Sequence, residues 1–540
     1  MTKIVGLWSG HDTSFCVLND GVPEIHSELE RHDRVKEQFG DSIDMYFKQY
    51  DDFNNVGIST TCHLGKGIAE HKKSFDKLTS ITGQPIVVGH HAAHAAHAFY
   101  SSNFRNALVV TIDSGGIENE LGYCPAFTIW KGEDHKLSVI DMISADNLNI
   151  GSIWTRVTRF VFGLESGWPQ GHQAGTVMAM AAFGNPDNAI QFEDDIIKMF
   201  STDMHKVLYK PEGHIRGMSA RDIRVPRHPY LCKYKDIVDV SEQARFDFAL
   251  AFQTITEKFV FSILSRYLNN YTNLCVAGGV ALNSVLIGKL KSIFPKLKEI
   301  FVPPVPYDAG LTIGAAQFTW HNIMGNPRIQ WEGSLNPYLG CVYSNDHIDS
   351  AINNCDKIQR RIVTDDDVVD LLINEKIVSV FHGRAESGRR ALGNRSILAD
   401  ARSHNMKAMI NDKVKHRQWF RPFAPSILVE KVDDWFLNPC ESPFMSFVLK
   451  FKPEAIEKVP AVVHQDASAR LQTVHKETNP WYHSFISKFE AKTGVPILLN
   501  TSFNDREPIV ETPEHAINCF LSTEIDYLYF VDTNSLISKK

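Results

Sequence analysis

Short β-branched runs that stop at glycine and lead into helical stretches recur along this chain. Ala107–Ile112 ends in Asp113-Ser-Gly-Gly, Leu274–Ala277 ends in Gly278-Gly279, and Glu299–Val302 runs through VPPVPY to Asp308-Ala-Gly310. With Pro85–Val88 as a further short strand, this alternation confines the chain to the α/β class and predicts a mostly parallel sheet covered by helices. The N-terminal segment reads differently. Ile4–Trp8 and Ser14–Leu18, joined by a polar turn and followed by Asn19-Asp20-Gly21, predict a β-hairpin with His11 and Asp12 at its tip.

At 540 residues the chain needs more than one core. Residues 325–344, GNPRIQWEGSLNPYLGCVYS, gather Gly, Pro, Asn and Ser between a helical stretch ending near Asn322 and a new start at Asn345–Asn354. We therefore divide the chain near residue 340, into 1–340 and 341–540. In the second part, KIVSVFHGRAES and GVPILLNTSFNDREPIV predict strands that open into polar turns or loops. The balance of 56 Lys and Arg against 63 Asp and Glu, net −7, argues against a surface that clamps nucleic acid, while leaving room for a local basic site. No two of the nine cysteines are closer than fourteen positions, which excludes a CxxC zinc or redox centre and predicts buried thiols in a reducing compartment. Without a signal-peptide pattern or an apolar run of membrane-spanning length, a soluble, cytoplasmic protein is expected.

Three groups of residues carry chemistry. His90-His91-Ala-Ala-His94-Ala-Ala-His97 sets four histidines in eight positions. On a helix His90 and His94 share one face and can grip one ion, His97 shares that face, and His91 points aside. Such a pair needs a carboxylate from elsewhere, and Asp308 at a strand exit is the candidate. The second group is the exits VAGGVALNS (276–284) and VPPVPYDAGLTIGAA (302–316), where small residues let backbone N–H groups approach a nucleotide phosphate. Gly278, Gly279, Asn283 and Gly310 are its candidates; TIDSGG (111–116) adds Gly115, with Asp113 for Mg²⁺ or a hydroxyl. The third is Arg384–Arg421, with ten Lys and Arg against three acids. Several lie beside Gly or Asn rather than at helical i, i+4 spacing, and arginine forks bind phosphate through charge-assisted hydrogen bonds of about 1.5–3 kcal/mol each. With only Trp419 and Phe420 as aromatics, it reads as a phosphate site and not as a nucleic-acid face.

The motifs HHAAHAAHAFY (90–100), VMAMAAFG (177–184), AGGVALN (277–283), DAGLTIGAA (308–316), GRAESGRRALGNRSIL (383–398), KHRQWFRPFAPSIL (415–428), RLQTV (470–474) and TGVPILLNTSFN (493–504) together resemble the O-carbamoyltransferases of antibiotic and nodulation-factor biosynthesis. The resemblance spans nearly the whole chain. It implies an actin-like ATPase (ASKHA) fold for the N-terminal domain, similar to tRNA threonylcarbamoyl-transferring enzymes, followed by a smaller α/β carbamoyl-adenylate-forming (YrdC-like) domain. The implied reaction is ATP-dependent: carbamoyl phosphate is cleaved, the carbamate attacks ATP to give carbamoyl adenylate, and a hydroxyl of a small-molecule or nucleoside-type acceptor takes the carbamoyl group. By resemblance, His90, His94 and Asp308 bind a divalent metal (Fe²⁺, Mn²⁺ or Mg²⁺), and His11, beside Asp12, is the general base. Carbamoyl phosphate falls on Arg390, Lys415, Arg421, Arg470 and Asn500. The implied partners are ATP, carbamoyl phosphate and the acceptor; a membrane is not expected, nucleic acid is disfavoured, and a homodimer is left open.

The chain departs from the family pattern at Ala174-Gly175-Thr176, where relatives usually read Glu-Gly-Lys. It departs again after Asp113, where Ser-Gly-Gly replaces a segment that often holds an acid, and at His97, where relatives carry a small residue. These changes bear on the acceptor and on nucleotide contacts more than on the carbamoyl chemistry. Competing readings are an actin-like ATPase with a regulatory or binding role, a sugar kinase, and a carbamoyltransferase acting on hydroxymethylated nucleotide or DNA.

Overall fold

The computed structural model describes residues 2–50, 56–62, 72–164, 173–200 and 229–540, with backbone alone for 229–233. Two compact units emerge, Met1–Leu29 with Lys36–Leu335, and Glu30–Val35 with Asn336–Lys540. The short segment Glu30–Val35 thus belongs with the C-terminal part of the chain. Both units are α/β.

The first unit holds two five-stranded sheets. One is built from β1 (Lys3–Trp8), β2 (Ser14–Asn19), β3 (Val22–Glu28), β4 (Val56–Cys62) and β5 (Ile86–Val88) in the order β3-β2-β1-β4-β5. The other joins β6 (Asn106–Ile112), β7 (Pro125–Glu133), β8 (Lys136–Ser144), β9 (Asn273–Ala277) and β10 (Glu299–Phe301) in the order β10-β9-β6-β7-β8. The expected mostly parallel sheet is corrected here. β1, β4 and β5 run parallel, as do β6, β9 and β10, whereas β1–β2–β3 and β6–β7–β8 are antiparallel. Tight turns account for two of these pairs. Asp20 and Gly21, both at positive φ, close β2 onto β3, and Asp134 at positive φ helps close β7 onto β8, connections too short for a crossover helix.

Helix α1 (His90–Tyr100) and helix α2 (Leu311–Gln317) share one apolar core with both sheets, drawing in Trp8, Val88, Val109 and Trp130 beside Ala93, Ala96, Leu311 and Ala315. The alanines between the histidines are therefore packing positions that admit a neighbouring backbone. The approach is closest at Gly314, where a Cβ would lie 1.8 Å from the Ala93 carbonyl oxygen. At Gly6 a Cβ would lie 2.0 Å from the Thr312 carbonyl oxygen, which ties β1 to α2 in the same way.

The second unit is built on one sheet of nine strands: β11 (Ile358–Ile362), β12 (Val378–Phe381), β13 (Arg395–Asp400), β14 (Ala424–Leu428), β15 (Phe447–Lys450), β16 (Ser468–Val474), β17 (Ile497–Ser502), β18 (Tyr527–Phe530) and β19 (Ser535–Lys539). Their order is β11-β19-β18-β12-β13-β17-β14-β16-β15, with β12–β18 and β14–β16 parallel and the other pairs antiparallel. Among the described residues no helix is long and apolar enough to cross a membrane.

The expectation of buried thiols holds for Cys16, Cys62, Cys275 and Cys519, which lie in strands or a helix; it is corrected for Cys124, Cys341, Cys355 and Cys440, which are partly exposed because they sit in irregular connections. The Cys232 side chain lies outside the described residues.

The Gly314 contact generates a test. Gly314→Ala forces the backbone of α1 to shift, and overpacking of this kind costs about 1–3 kcal/mol or more. Its unfolding midpoint should fall clearly below wild type. Gly175→Ala, which meets nothing nearer than Met178 Cε at 4.0 Å, should stay within about 0.5 kcal/mol.

Candidate active site

Four side chains from three segments converge in the first unit. His90 and His94 project from the first turns of α1, Asp113 follows the last residue of β6, and Asp308 precedes α2. One ligand atom from each lies within 4.8 Å of the others, and all four residues are buried. His94 Nε2 stands 3.0 Å from Asp113 Oδ2 and 3.5 Å from Asp308 Oδ1; for His90 Nε2 the distances are 3.2 Å and 3.6 Å. Two imidazoles and two carboxylates balance a divalent cation in number, charge and donor type, so these residues fit the metal that the spacing of the histidines suggested. Asp113, expected beside a nucleotide or Mg²⁺, joins the trio.

The charges act on one another. Burial opposes ionisation of Asp113, but its hydrogen bonds with His90 and His94 outweigh that and hold its carboxyl well below the usual range. Burial likewise pushes His94 down, while Asp113 and Asp308 together raise it to about 9.

Glycines are placed where side chains would collide with this centre. A Cβ at Gly116 would fall 2.1 Å from the His90 ring, and one at Gly278, itself at φ +89°, 2.3 Å from the Ile112 carbonyl oxygen. A Cβ at Gly279 would press on Asp113 Oδ1 at 3.3 Å, and one at Gly310 would meet the Val305 carbonyl oxygen at 2.0 Å. Gly115, also at positive φ, lets the turn after Asp113 form. Asn283 is turned to another use: its Oδ1 caps the following helix at Leu286 N and its Nδ2 donates to Gln253.

The helix that carries the ligands has its own anchor. Gly89 at its start offers no side-chain cap, and the Glu118 carboxylate accepts the His91 and Ala92 N–H groups at 2.6 and 3.1 Å instead. Burial pushes the Glu118 carboxyl up to about 7 even so. The other two histidines are core residues. His91 Nδ1 meets Thr111 and Thr128, and His97 Nδ1 meets Ser101; burial pushes His97 down to about 3, keeping it neutral. His97 therefore does not share the ion-gripping face that its i, i+3 spacing from His94 suggested.

His11 sits at the hairpin tip with its side chain 41% exposed, Nδ1 2.9 Å from Asp12 Oδ2 and Nε2 3.2 Å from Asp308 Oδ2. Desolvation would lower it, yet Asp308 and Asp12 raise it to about 10. In this arrangement both ring nitrogens of His11 face carboxylates, and the ring bridges Asp12 and Asp308.

The basic stretch resolves into two groups in the second unit. Arg390, Arg417, Arg421 and Arg470 lie close enough to repel one another, and burial followed by this repulsion pushes Arg470 well below its ordinary value; burial takes Arg421 to about 10. Among the described residues Arg417, Arg421 and Arg470 have no acidic partner, and Arg470 Nε is buried without an acceptor. Arg417 was not singled out in the sequence, although it lies in the same KHRQWFR motif. It is held by Asn411 Oδ1 and stacked over Phe423. Asn500 on β17 donates to Ala391 O, Ser426 Oγ and Gln472 Oε1, and its Oδ1 is buried with no partner among the described residues. Lys415, expected in this pocket, instead donates to the Ser502 and Asn504 carbonyls and to Asn504 Oδ1.

One α/β unit thus holds a buried centre of two histidines and two carboxylates, and the other a group of arginines of which Arg417, Arg421 and Arg470 have no acidic partner among the described residues. Comparison with known families gives the class a name. Residues 29–317 match the family described as Carbamoyltransferase N-terminus and residues 369–539 the one described as Carbamoyltransferase C-terminus. The chain is 34% identical over 478 residues to an uncharacterized protein of Synechocystis sp., covering 81% of this chain and 74% of that protein. Identity is 29% over 558 residues, covering 99% of each, with an uncharacterized protein of Methanocaldococcus jannaschii. It is 33% over 457 residues with nodulation protein NolO of Bradyrhizobium diazoefficiens, covering 82% of this chain and 77% of the relative. The chain belongs to the carbamoyltransferase family and is a carbamoyl-transferring enzyme.

Elemental analysis tests the metal centre. Wild type should hold one divalent ion per chain, and His94→Ala or Asp113→Ala should weaken binding beyond the roughly 10–100-fold typical of losing an outer-shell partner. His97→Ala should keep the ion; equal loss in all three variants would count against the ligand set.

Proposed function

We propose that the protein is an ATP-dependent O-carbamoyltransferase that uses two sites in succession. The observation that carries this reading is the arginine cluster: Arg417, Arg421 and Arg470, half-buried side by side with no acidic partner among the described residues, call for an anion to offset their repulsion, and a phosphoryl group supplies one. Arg390, Arg421 and Arg470, with Arg417, bind the phosphate of carbamoyl phosphate. Asn500 Oδ1 accepts an N–H of the carbamoyl amide, which gives the buried acceptor its partner. Lys415, committed to the Ser502 and Asn504 oxygens, braces this pocket from its edge.

The chemistry balances over three steps. Water and carbamoyl phosphate give carbamate and inorganic phosphate; a carbamate oxygen attacks the α-phosphorus of ATP, forming carbamoyl adenylate and expelling pyrophosphate. The acceptor hydroxyl then attacks the carbamoyl carbon, AMP leaves, and the hydroxyl proton is taken up by a base. Carbamate decomposes readily in water, so forming and consuming it within an enclosed site is a physical requirement.

In the first unit His90, His94, Asp113 and Asp308 would hold a divalent ion, Fe²⁺, Mn²⁺ or Mg²⁺. When bound, such an ion supplies Lewis-acid stabilisation of negative charge on oxygen. Gly278, Gly279 and Gly310 keep the surrounding backbone free of side chains, so that a nucleotide phosphate can approach. His11 is the solvent-facing member of the group and is assigned to receive the hydroxyl proton, a role that requires a neutral ring whose unprotonated Nε2 has parted from Asp308 Oδ2. The acceptor is a small-molecule or nucleoside-type alcohol.

The test separates the half-reactions. Consumption of carbamoyl phosphate should depend on ATP and release AMP and pyrophosphate; ADP as the only nucleotide product would overturn the adenylate route. Arg390→Ala should lower kcat/KM with carbamoyl phosphate by roughly 10–100-fold or more, from one or more charge-assisted bonds at 1.4 kcal/mol per tenfold, and spare transfer from supplied carbamoyl adenylate. His90→Ala should do the reverse.

A further inference from the structure

The segment Glu30–Val35 follows β3 in sequence yet belongs to the second unit, and its two arginines are spent on that unit's loops. Arg31, 3% exposed, donates from Nη2 to the Glu386 carbonyl oxygen at 3.0 Å and to the Gly388 carbonyl oxygen at 2.7 Å. Arg389 and Arg390 come next in the chain. The other side of the same loop is pinned by Glu386, whose Oε1 accepts the backbone N–H groups of Leu392, Asn394 and Arg395. Arg34 acts in parallel: it donates to the Pro508 and Ile509 carbonyls and to Glu507. The Glu507 carbonyl in turn accepts from Asn504, the residue that holds Lys415.

The loop from Glu386 to Arg390 contains Ser387 and Gly388, the latter at φ +92°, so its own backbone does little to fix where Arg390 points. A buried guanidinium bridging two of its carbonyls does. Glu511 Oε2 lies 3.8 Å from Arg31 Nη1 and pairs with its charge, so what Nη2 adds on the loop side is position.

We propose that Arg31 is a positioning residue for carbamoyl phosphate: by clamping the 386 and 388 carbonyls it fixes the loop that aims Arg390 at the phosphate. The inference rests on the carbamoyl-phosphate reading of the arginine cluster given above. It places a residue from the N-terminal tenth of the sequence in the service of the C-terminal site.

The experiment uses the full-length enzyme. Arg31→Met keeps the unbranched apolar stem of the side chain and removes the nitrogen that bonds both carbonyls; Arg31→Lys keeps the charge and restores part of the bonding. KM and kcat are measured with carbamoyl phosphate and with ATP varied separately, alongside thermal unfolding and Arg390→Ala as a control. The expected result is a rise of at least tenfold in KM for carbamoyl phosphate in Arg31→Met, with kcat and KM for ATP within about threefold of wild type and Arg31→Lys intermediate. An unchanged KM for carbamoyl phosphate overturns the proposal. So does a uniform loss in all parameters that Arg31→Lys fails to relieve, since that marks a role in folding alone. If Arg31→Met does not accumulate as folded protein, Arg31→Lys decides by the same criterion. If Arg390→Ala itself leaves KM for carbamoyl phosphate unchanged, the reading of the arginine cluster falls first and the inference with it.

Discussion

Two buried carboxylates held within a few ångströms of each other set the terms for the first unit. Asp113 and Asp308 would repel strongly in a low-dielectric interior, and their coexistence depends on His90 and His94 reaching both of them from one helix face. That requirement propagates outward. The helix must start at the right height, so its open N–H groups are capped by Glu118. It must also lie close to α2, which delivers Asp308, and so alanine and glycine line the contact. The strands β6 and β9 must then end beside it without side chains in the way, which accounts for Gly116 and Gly278.

The second unit presents the opposite charge problem. Its basic groups crowd together, and neutral acceptors help to place them: Asn411 for Arg417, and carbonyl and amide oxygens for Lys415. Neutral anchors fix a cation without cancelling it, which preserves the attraction for a phosphate. Asn411 lies in a π-type turn whose closing bond runs from Lys415 N to Ile410 O, and its Nδ2 holds the Trp419 and Arg421 carbonyls. A single buried amide thereby shapes the loop that carries two of the arginines.

Much of this was legible from residue spacing. The i, i+4 histidine pair is a local property of a helix, and helix geometry converts it directly into one face. The strand exits at Asp113 and Asp308 were visible because β-branched runs end there in small residues. The fate of His97 was not visible: whether an i, i+3 histidine joins an ion or a core depends on what packs on that side, and here Ser101 and the apolar interior receive it. The sheets were misjudged as mostly parallel because a run of β-branched residues carries no information about the direction of its neighbour; the connections decided that, two-residue turns among them.

The sequence by itself determined the class of chemistry, since two histidines on one helix face, aspartates at strand exits and a run of arginines outside helical register have few other uses. The tertiary structure decided which of these residues meet. Asp113 came to the ligand set because β6 ends beside α1, Lys415 was drawn to the Ser502 and Asn504 oxygens, and Asn283 became a helix cap. Arg31 and Arg34 carry no local signal at all. Their partners lie more than 350 residues away along the chain, and long-range carbonyl contacts leave no pattern in the residues that make them, because every residue offers the same backbone oxygen.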